Sequence, residues 1–151
     1  MLGNFEFNSD EEFLAFIATY LQSDDKLTSD LANLSALLFE YLNDISWCGF
    51  YLVEGDELYL GPFQGKAACT KIRISKGVCG TAYQRNETII VDDVNSFPGH
   101  IACDSASRSE IVVPLKDFGV LDIDSTSYSR FGAREKFLLE GVINLLSKKL
   151  N

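Results

Sequence analysis

The order of elements along this chain predicts an α+β fold, an antiparallel sheet with helices packed on it. Two amphipathic helical stretches come first, strand-like stretches with short links follow from about residue 46, and one helical stretch closes the sequence. No repeat, low-complexity tract or Pro/Gly/Ser-rich linker divides the 151 residues, so one domain over 1–151 is expected. The composition, 46% hydrophobic and 23% charged, is that of an ordinary globule able to bury a sizeable core.

Asn8 or Ser9 can cap the first helix, with Asp10, Glu11 and Glu12 in its first turn and Phe13, Phe16, Ile17, Tyr20 and Leu21 on one face. Ser23-Asp24-Asp25 breaks the run. In the second helix Leu27, Leu31, Leu34, Leu38, Tyr41 and Ile45 recur by fours and threes, so the two helices are expected over about 9–45. Trp47 to Val53 is aromatic and β-branched, and Glu54-Gly55-Asp56-Glu57 reads as a hairpin loop into Leu58 to Leu60. Gly61 to Lys66 is expected to be a loop by its Gly/Pro punctuation. Thr70 to Ile74 and Thr88 to Val91 read as strands, with a short helix starting at Gly77 between them. Asp92 to Ser109 is a long loop-rich segment, which in a compact domain is usually functional or disordered. Ile111 to Leu115 and Phe118 to Ile123 are expected to pair across Lys116-Asp117. The final helix is placed at about 133–150 with Phe137, Leu138, Val142, Leu145 and Leu146 inward.

The net charge of −9 leaves no basic stripe for nucleic acid or for an anionic membrane surface, and no apolar run is long enough to span a bilayer. The acidic N-terminus lacks the basic n-region and apolar core of a signal peptide. A cytoplasmic location is therefore expected, where cysteines more often react or ligate metal than form structural disulfides.

Of the four cysteines, Cys48 between Trp47 and Gly49 reads as core filler. Cys69, Cys79 and Cys103 sit among Gly, Ala, Ser and Asp at element edges. A Cys₃His zinc centre of Cys69, Cys79, Cys103 and His100 lacks the C-x₂-C knuckle that organises such ligands, so no metal is expected. A Cys103–His100 nucleophile pair lacks an identifiable third group. Asp122 and Asp124, two apart on a strand, point to one face, with Ile123 turned the other way toward a core shared with Val120. On a solvent face the two acids are ordinary. In a closed pocket with Glu110 they crowd, so that one acid stays protonated near neutrality while the others suit an ammonium group. Trp47, Tyr51 and Phe63 are most simply core, and Trp47 and Tyr51, four apart, share a face that can line a pocket.

Several segments, in order through nearly the whole chain, carry a family resemblance. They include Trp47-Cys48-Gly49-Phe50-Tyr51-Leu52, Gly61-Pro62-Phe63-Gln64-Gly65-Lys66, Gly77-Val78-Cys79-Gly80-Thr81-Ala82, Gly99-His100-Ile101-Ala102-Cys103-Asp104, Ser109-Glu110-Ile111-Val112-Val113-Pro114-Leu115 and Gly119-Val120-Leu121-Asp122-Ile123-Asp124-Ser125. With them the sequence resembles the free methionine-(R)-sulfoxide reductases, single-domain enzymes of GAF type. The resemblance implies a GAF-like fold with about six antiparallel strands flanked by helices, the sheet and active-site loops lying over about 46–125. It implies that the Cys103 thiolate attacks the sulfoxide sulfur and is left as sulfenic acid, and that Cys69 condenses with it to a disulfide. Cys79 matches a third family cysteine, an alternative resolver. Glu110, Asp122 and Asp124 match acids that bind the substrate and handle the oxygen proton, while Trp47 and Tyr51 match aromatics at the methyl end. It further implies free methionine sulfoxide as substrate, thioredoxin as reductant, a homodimer and no cofactor. Cys48 stands where relatives commonly have alanine, and the link from Leu115 to Gly119 is shorter than the family's. The competing reading is a non-catalytic GAF sensor of a small ligand.

Overall fold

The computed structural model describes residues 6–100, 103 and 105–150. Ile101, Ala102 and Asp104 of the Cys103 segment, and the ends of the expected 1–151 domain, lie outside the described residues. The elements run α1 (Asp10–Tyr20), α2 (Leu27–Tyr41), β1 (Trp47–Glu54), β2 (Glu57–Gln64), β3 (Lys71–Arg73), α3 (Gly77–Arg85), β4 (Ile89–Val91), β5 (Ser109–Leu115), β6 (Gly119–Ser125) and α4 (Ala133–Leu150). The strands form one antiparallel sheet in the order β3-β2-β1-β6-β5-β4, the α+β architecture that the sequence order predicts.

Ser9 caps α1: its Oγ accepts from the Glu12 N–H at 3.1 Å, while the Glu12 carboxylate accepts from the Asn8 N–H at 2.9 Å. α2 buries Leu31, Leu34 and Leu38, but it ends at Tyr41 and does not reach Ile45. Asp44 turns the chain in the left-handed region (φ 54°), and the Ser46 N–H already bonds the Asp124 carbonyl at 2.8 Å. In the first hairpin Glu54 pairs with Glu57, so the loop proper is Gly55-Asp56, with Gly55 at φ 64°.

The Gly/Pro punctuation of 61–64 is misleading, because β2 continues through Gly61 and Pro62 to Gln64. The β1–β2 register shifts between Gly49 and Tyr51, a bulge opposite this stretch, where a proline's missing N–H is tolerated. The short link between β5 and β6 closes as a tight hairpin, with Leu115 paired to Gly119 and the Phe118 N–H bonded to the Leu115 carbonyl at 2.9 Å.

Both faces of the sheet are covered. On one, Cys48, Phe50, Ile111, Val113, Leu121 and Ile123 pack with the buried residues of α1, α2 and α4. On the other, Trp47, Tyr51, Val112 and Val120 pack with Val78, Cys79 and Ala82 of α3. Val120 therefore lies with Asp122 on the α3 side, opposite to Ile123, as strand parity requires. In α4 the inward residues are Leu138, Leu139, Val142, Ile143 and Leu146, whereas Phe137 is 75% exposed. A helix turns about 100° per residue, which takes Phe137 off the stripe that Leu138, Val142 and Leu146 define. Among the described residues no helix is long and apolar enough to cross a membrane.

Candidate active site

The site lies on the α3 side of the sheet, where three adjacent strands place polar side chains at one parity. Asp124 of β6 pairs with Trp47 of β1 on one side and Glu110 of β5 on the other, so the three form a row across the sheet. One step along, Asp122 pairs with Gly49 and Val112. Gly49 is required there, because a Cβ would come within 2.3 Å of the Phe63 Cβ and 2.8 Å of the Trp47 ring. Trp47, Glu110, Asp122 and Asp124, with Tyr51, Ile72, Gly77, Cys79, His100, Cys103 and Ser107, line a cavity of about 570 Å³, its open mouth included.

Cys69 and Cys103 form a disulfide with Cα atoms 5.4 Å apart across 34 residues of sequence. It joins the β2–β3 link to the β4–β5 link over the same sheet face. Cys103 is among the cavity-lining residues. Cys79, on α3, is a free thiol lying 4.0 Å from Glu110 Oε2, to which it donates. Cys48 is fully buried in the opposite core, as expected of a filler.

Burial raises the Glu110 carboxyl well above the usual carboxylate range, and the charges of Asp122 and Asp124 push it further. Asp122 is also raised, again by burial, but hydrogen bonds from Glu110 and Cys79 favour its anion. The shared proton therefore resides on Glu110, with Asp122 accepting. Burial, and then the charge of Asp122, raise the Cys79 thiol well above its usual range, so it is a donor and a poor nucleophile. Burial lowers His100, which is thus a neutral imidazole, although Asp122 pulls it the other way. Asp122 Oδ1 and Ser107 Oγ are buried without hydrogen-bond partners among the described residues. Two unsatisfied polar atoms in one cavity are the mark of a site shaped for a polar ligand.

A Cys₃His zinc set is not assembled, since Cys69 and Cys103 are bonded to each other. Among the described residues, the donor atoms that do converge are Cys79 Sγ and one oxygen each of Glu110 and Asp122, all within 4.8 Å of one another. The cavity therefore holds a bonded cysteine pair beside a protonated acid, a carboxylate and an aromatic wall.

The GAF domain family model matches residues 28–150. The free methionine-R-sulfoxide reductase of Escherichia coli (strain K12) is 55% identical over 124 residues, covering 80% of this chain and 75% of that protein. This chain belongs to the GAF-domain family of free methionine-R-sulfoxide reductases. Two solved structures of such reductases superpose closely. The Neisseria meningitidis enzyme in complex with its substrate has a TM-score of 0.90 at 40% identity, covering 97% of this chain and 93% of that one. The fRMsr of Staphylococcus aureus in its reduced form has a TM-score of 0.91 at 43% identity, covering 99% and 100%.

Of the residues that the sequence singles out, Trp47, Tyr51, Cys79, Cys103, Glu110, Asp122 and Asp124 all line the one cavity. Cys69 is brought to it through its bond to Cys103. The sequence does not single out as site residues Ser107, Ile72, the pair Gly77 and Val78 at the start of α3, or Lys66, Ala67 and Ala68 of the link before Cys69, which also line the cavity. Small or ordinary side chains on links give no signal until the fold closes over them.

Proposed function

We propose that this chain reduces free methionine-R-sulfoxide to methionine, with thioredoxin restoring its dithiol. The observation that carries the reading is the Cys69–Cys103 disulfide at a cavity that also holds a protonated Glu110 beside Asp122. Aromatic faces of Trp47 and Tyr51, stacked at 5.8 Å between centroids, suit an apolar S-methyl group. The carboxylates suit the substrate's ammonium.

In the reduced protein, the Cys103 thiolate attacks the sulfoxide sulfur while Glu110 protonates the oxygen. The oxygen passes to Cys103, so thiol plus sulfoxide become sulfenic acid plus thioether. Cys69 then displaces it as water, forming the disulfide, and a thioredoxin dithiol reduces that disulfide by exchange. Cys103 is assigned the attack because it lines the cavity. Cys79 serves the acid cluster, since its raised thiol and its contact with Glu110 suit donation better than displacement. A cytosolic homodimer completes the proposal, with sedimentation as the check on the dimer.

The test is NADPH oxidation with thioredoxin, thioredoxin reductase and free methionine-R-sulfoxide. Steady turnover is expected, and none at all would leave a ligand-binding GAF domain. Cys103→Ser should form no methionine in a single turnover, whereas Cys69→Ser should form one per chain and then stall. Equal loss in both would overturn the assignment of roles.

A further inference from the structure

Trp47 and Tyr51 present more than their ring faces. The Trp47 indole N–H donates to the Lys66 carbonyl at 3.0 Å, and the Tyr51 hydroxyl donates to the Cys69 carbonyl at 2.9 Å. Both acceptors lie between β2 and β3, in a segment with neither helix nor strand of its own. The donors project from one face of β1, which pairs with β2 and β6 and is buried from Trp47 to Tyr51. A link without regular structure is thus tied at two points to a central strand.

The seat of the indole is built for this purpose. A Cβ on Gly65, which has φ 130°, would stand 2.6 Å from Trp47 Cδ1 and 2.9 Å from the Ser46 carbonyl oxygen. Only glycine lets the link pass close enough for Lys66 to accept from the ring edge. On the far side of Cys69, the Thr70 carbonyl accepts from the Leu60 N–H at 2.9 Å. Cys69 is therefore held at its own carbonyl and by neighbours on both sides. Burial keeps the Tyr51 hydroxyl protonated far beyond its usual range, so it remains a donor.

We propose that Trp47 and Tyr51 are positioning residues for Cys69. Their ring faces wall the substrate cavity, and their polar edges hold the Cys69 backbone within reach of Cys103 whether or not the disulfide is formed. The inference rests on the reading above, in which Cys103 is oxidised and Cys69 resolves it. In the step concerned, the Cys69 sulfur attacks the Cys103 sulfenic sulfur. An S–S bond forms, the S–O bond breaks, and the oxygen leaves as water with the thiol proton. Cys69 is oxidised and the Cys103 sulfur is reduced. Holding the two sulfurs near each other saves the entropy of bringing a free link to the site.

The test separates formation of the sulfenic acid from its resolution. Reduced protein is treated with hydrogen peroxide, which converts the Cys103 thiolate to sulfenic acid and hydroxide without any sulfoxide substrate. A dimedone-type probe then traps the sulfenic acid at successive times, and mass spectrometry reads adduct and disulfide. Loss of one neutral hydrogen bond corresponds to about fivefold in the tied population. Tyr51→Phe should therefore lengthen the sulfenic lifetime about fivefold, with a smaller change in the rate of its formation. Trp47→Phe should act in the same direction and serves if Tyr51→Phe does not fold. An unchanged lifetime in the variants overturns the proposal, as does equal slowing of formation and resolution. If peroxide gives the lengthened lifetime but the wild type makes no methionine from the sulfoxide, positioning stands and the substrate reading falls.

Discussion

Glu110→Gln isolates the proton that the acids of the cavity share. Glutamine keeps the shape and two polar atoms of the side chain but cannot ionise. In the wild type, burial and the charges of Asp122 and Asp124 raise Glu110 well above its ordinary range. From about pH 4.3, the unfolded value, up to the raised value, the folded protein keeps a proton that the unfolded chain has released. Stability is fully present below that window and falls through it by about 1.4 kcal/mol per pH unit for one retained proton. Two units inside the window cost about 2.7 kcal/mol, a large share of the roughly 5–15 kcal/mol that holds a domain together. Glu110 is only 7% exposed, so solvent does little to damp the effect. Asp122 is raised as well and acts with the same sign, so the variant keeps a residual slope. The assay is urea unfolding of both proteins with the disulfide intact, from about pH 4 to about pH 8. Whatever offset the two show at the acid end, the variant should gain on the wild type as pH rises. A difference that stays flat across this range, or that runs the other way, would refute the assignment of the proton. The same substitution should lower sulfoxide reduction by roughly 10²–10⁴-fold, the usual contribution of a general acid.

Three further substitutions test the frame around the site. Gly119→Ala would place a Cβ 2.0 Å from the Tyr51 carbonyl oxygen at φ 151°, where neither backbone can yield. A loss beyond about 3 kcal/mol is expected, read as a collapse of soluble yield or melting temperature; a melting temperature within a few degrees of wild type would contradict the packing. Lys149 of α4 bonds Asp30 of α2, whose side chain is fully buried. Lys149→Met should cost about 3 kcal/mol by leaving that carboxylate unpaired. Adding Asp30→Asn should restore most of the loss, and a double variant no better than the single would show that the pair is not the cause.

How much of this was legible beforehand depends on which interactions are periodic. α1, α2 and α4 were readable because each buries a stripe recurring at threes and fours. The errors fall where a local signal was outvoted by packing. Phe137 is apolar but off the stripe, and Gly61-Pro62 punctuates a strand that a bulge lets continue. The disulfide partners were supplied by resemblance and not by spacing. Connectivity across 34 residues depends on two links meeting over one sheet face, which no pair of sequence positions encodes. Bonds from the Trp47 and Tyr51 edges to backbone carbonyls were invisible for a related reason: every residue has a carbonyl, and only the fold selects Lys66 and Cys69.

The parity of the strands explains why the acids could be paired with each other but not assigned to a pocket. β1, β5 and β6 are buried on both faces, Cys48 and Phe50 toward one core and Trp47 and Tyr51 toward the other. Strands covered on both sides read as continuous apolar runs, without the alternation that marks a wet face. Against such a background a charged side chain carries unusual information, because burying it without a partner is costly. Leu121-Asp122-Ile123-Asp124 sets two carboxylates at one parity between residues that are fully buried at the other. A third acid, Glu110, follows from the register of the neighbouring strand, which pairs it with Asp124. A core has no use for three acids in contact. A site that must hold a proton on one of them and a cation against the others does, and that requirement is why the proposed active site is put on this face of the sheet.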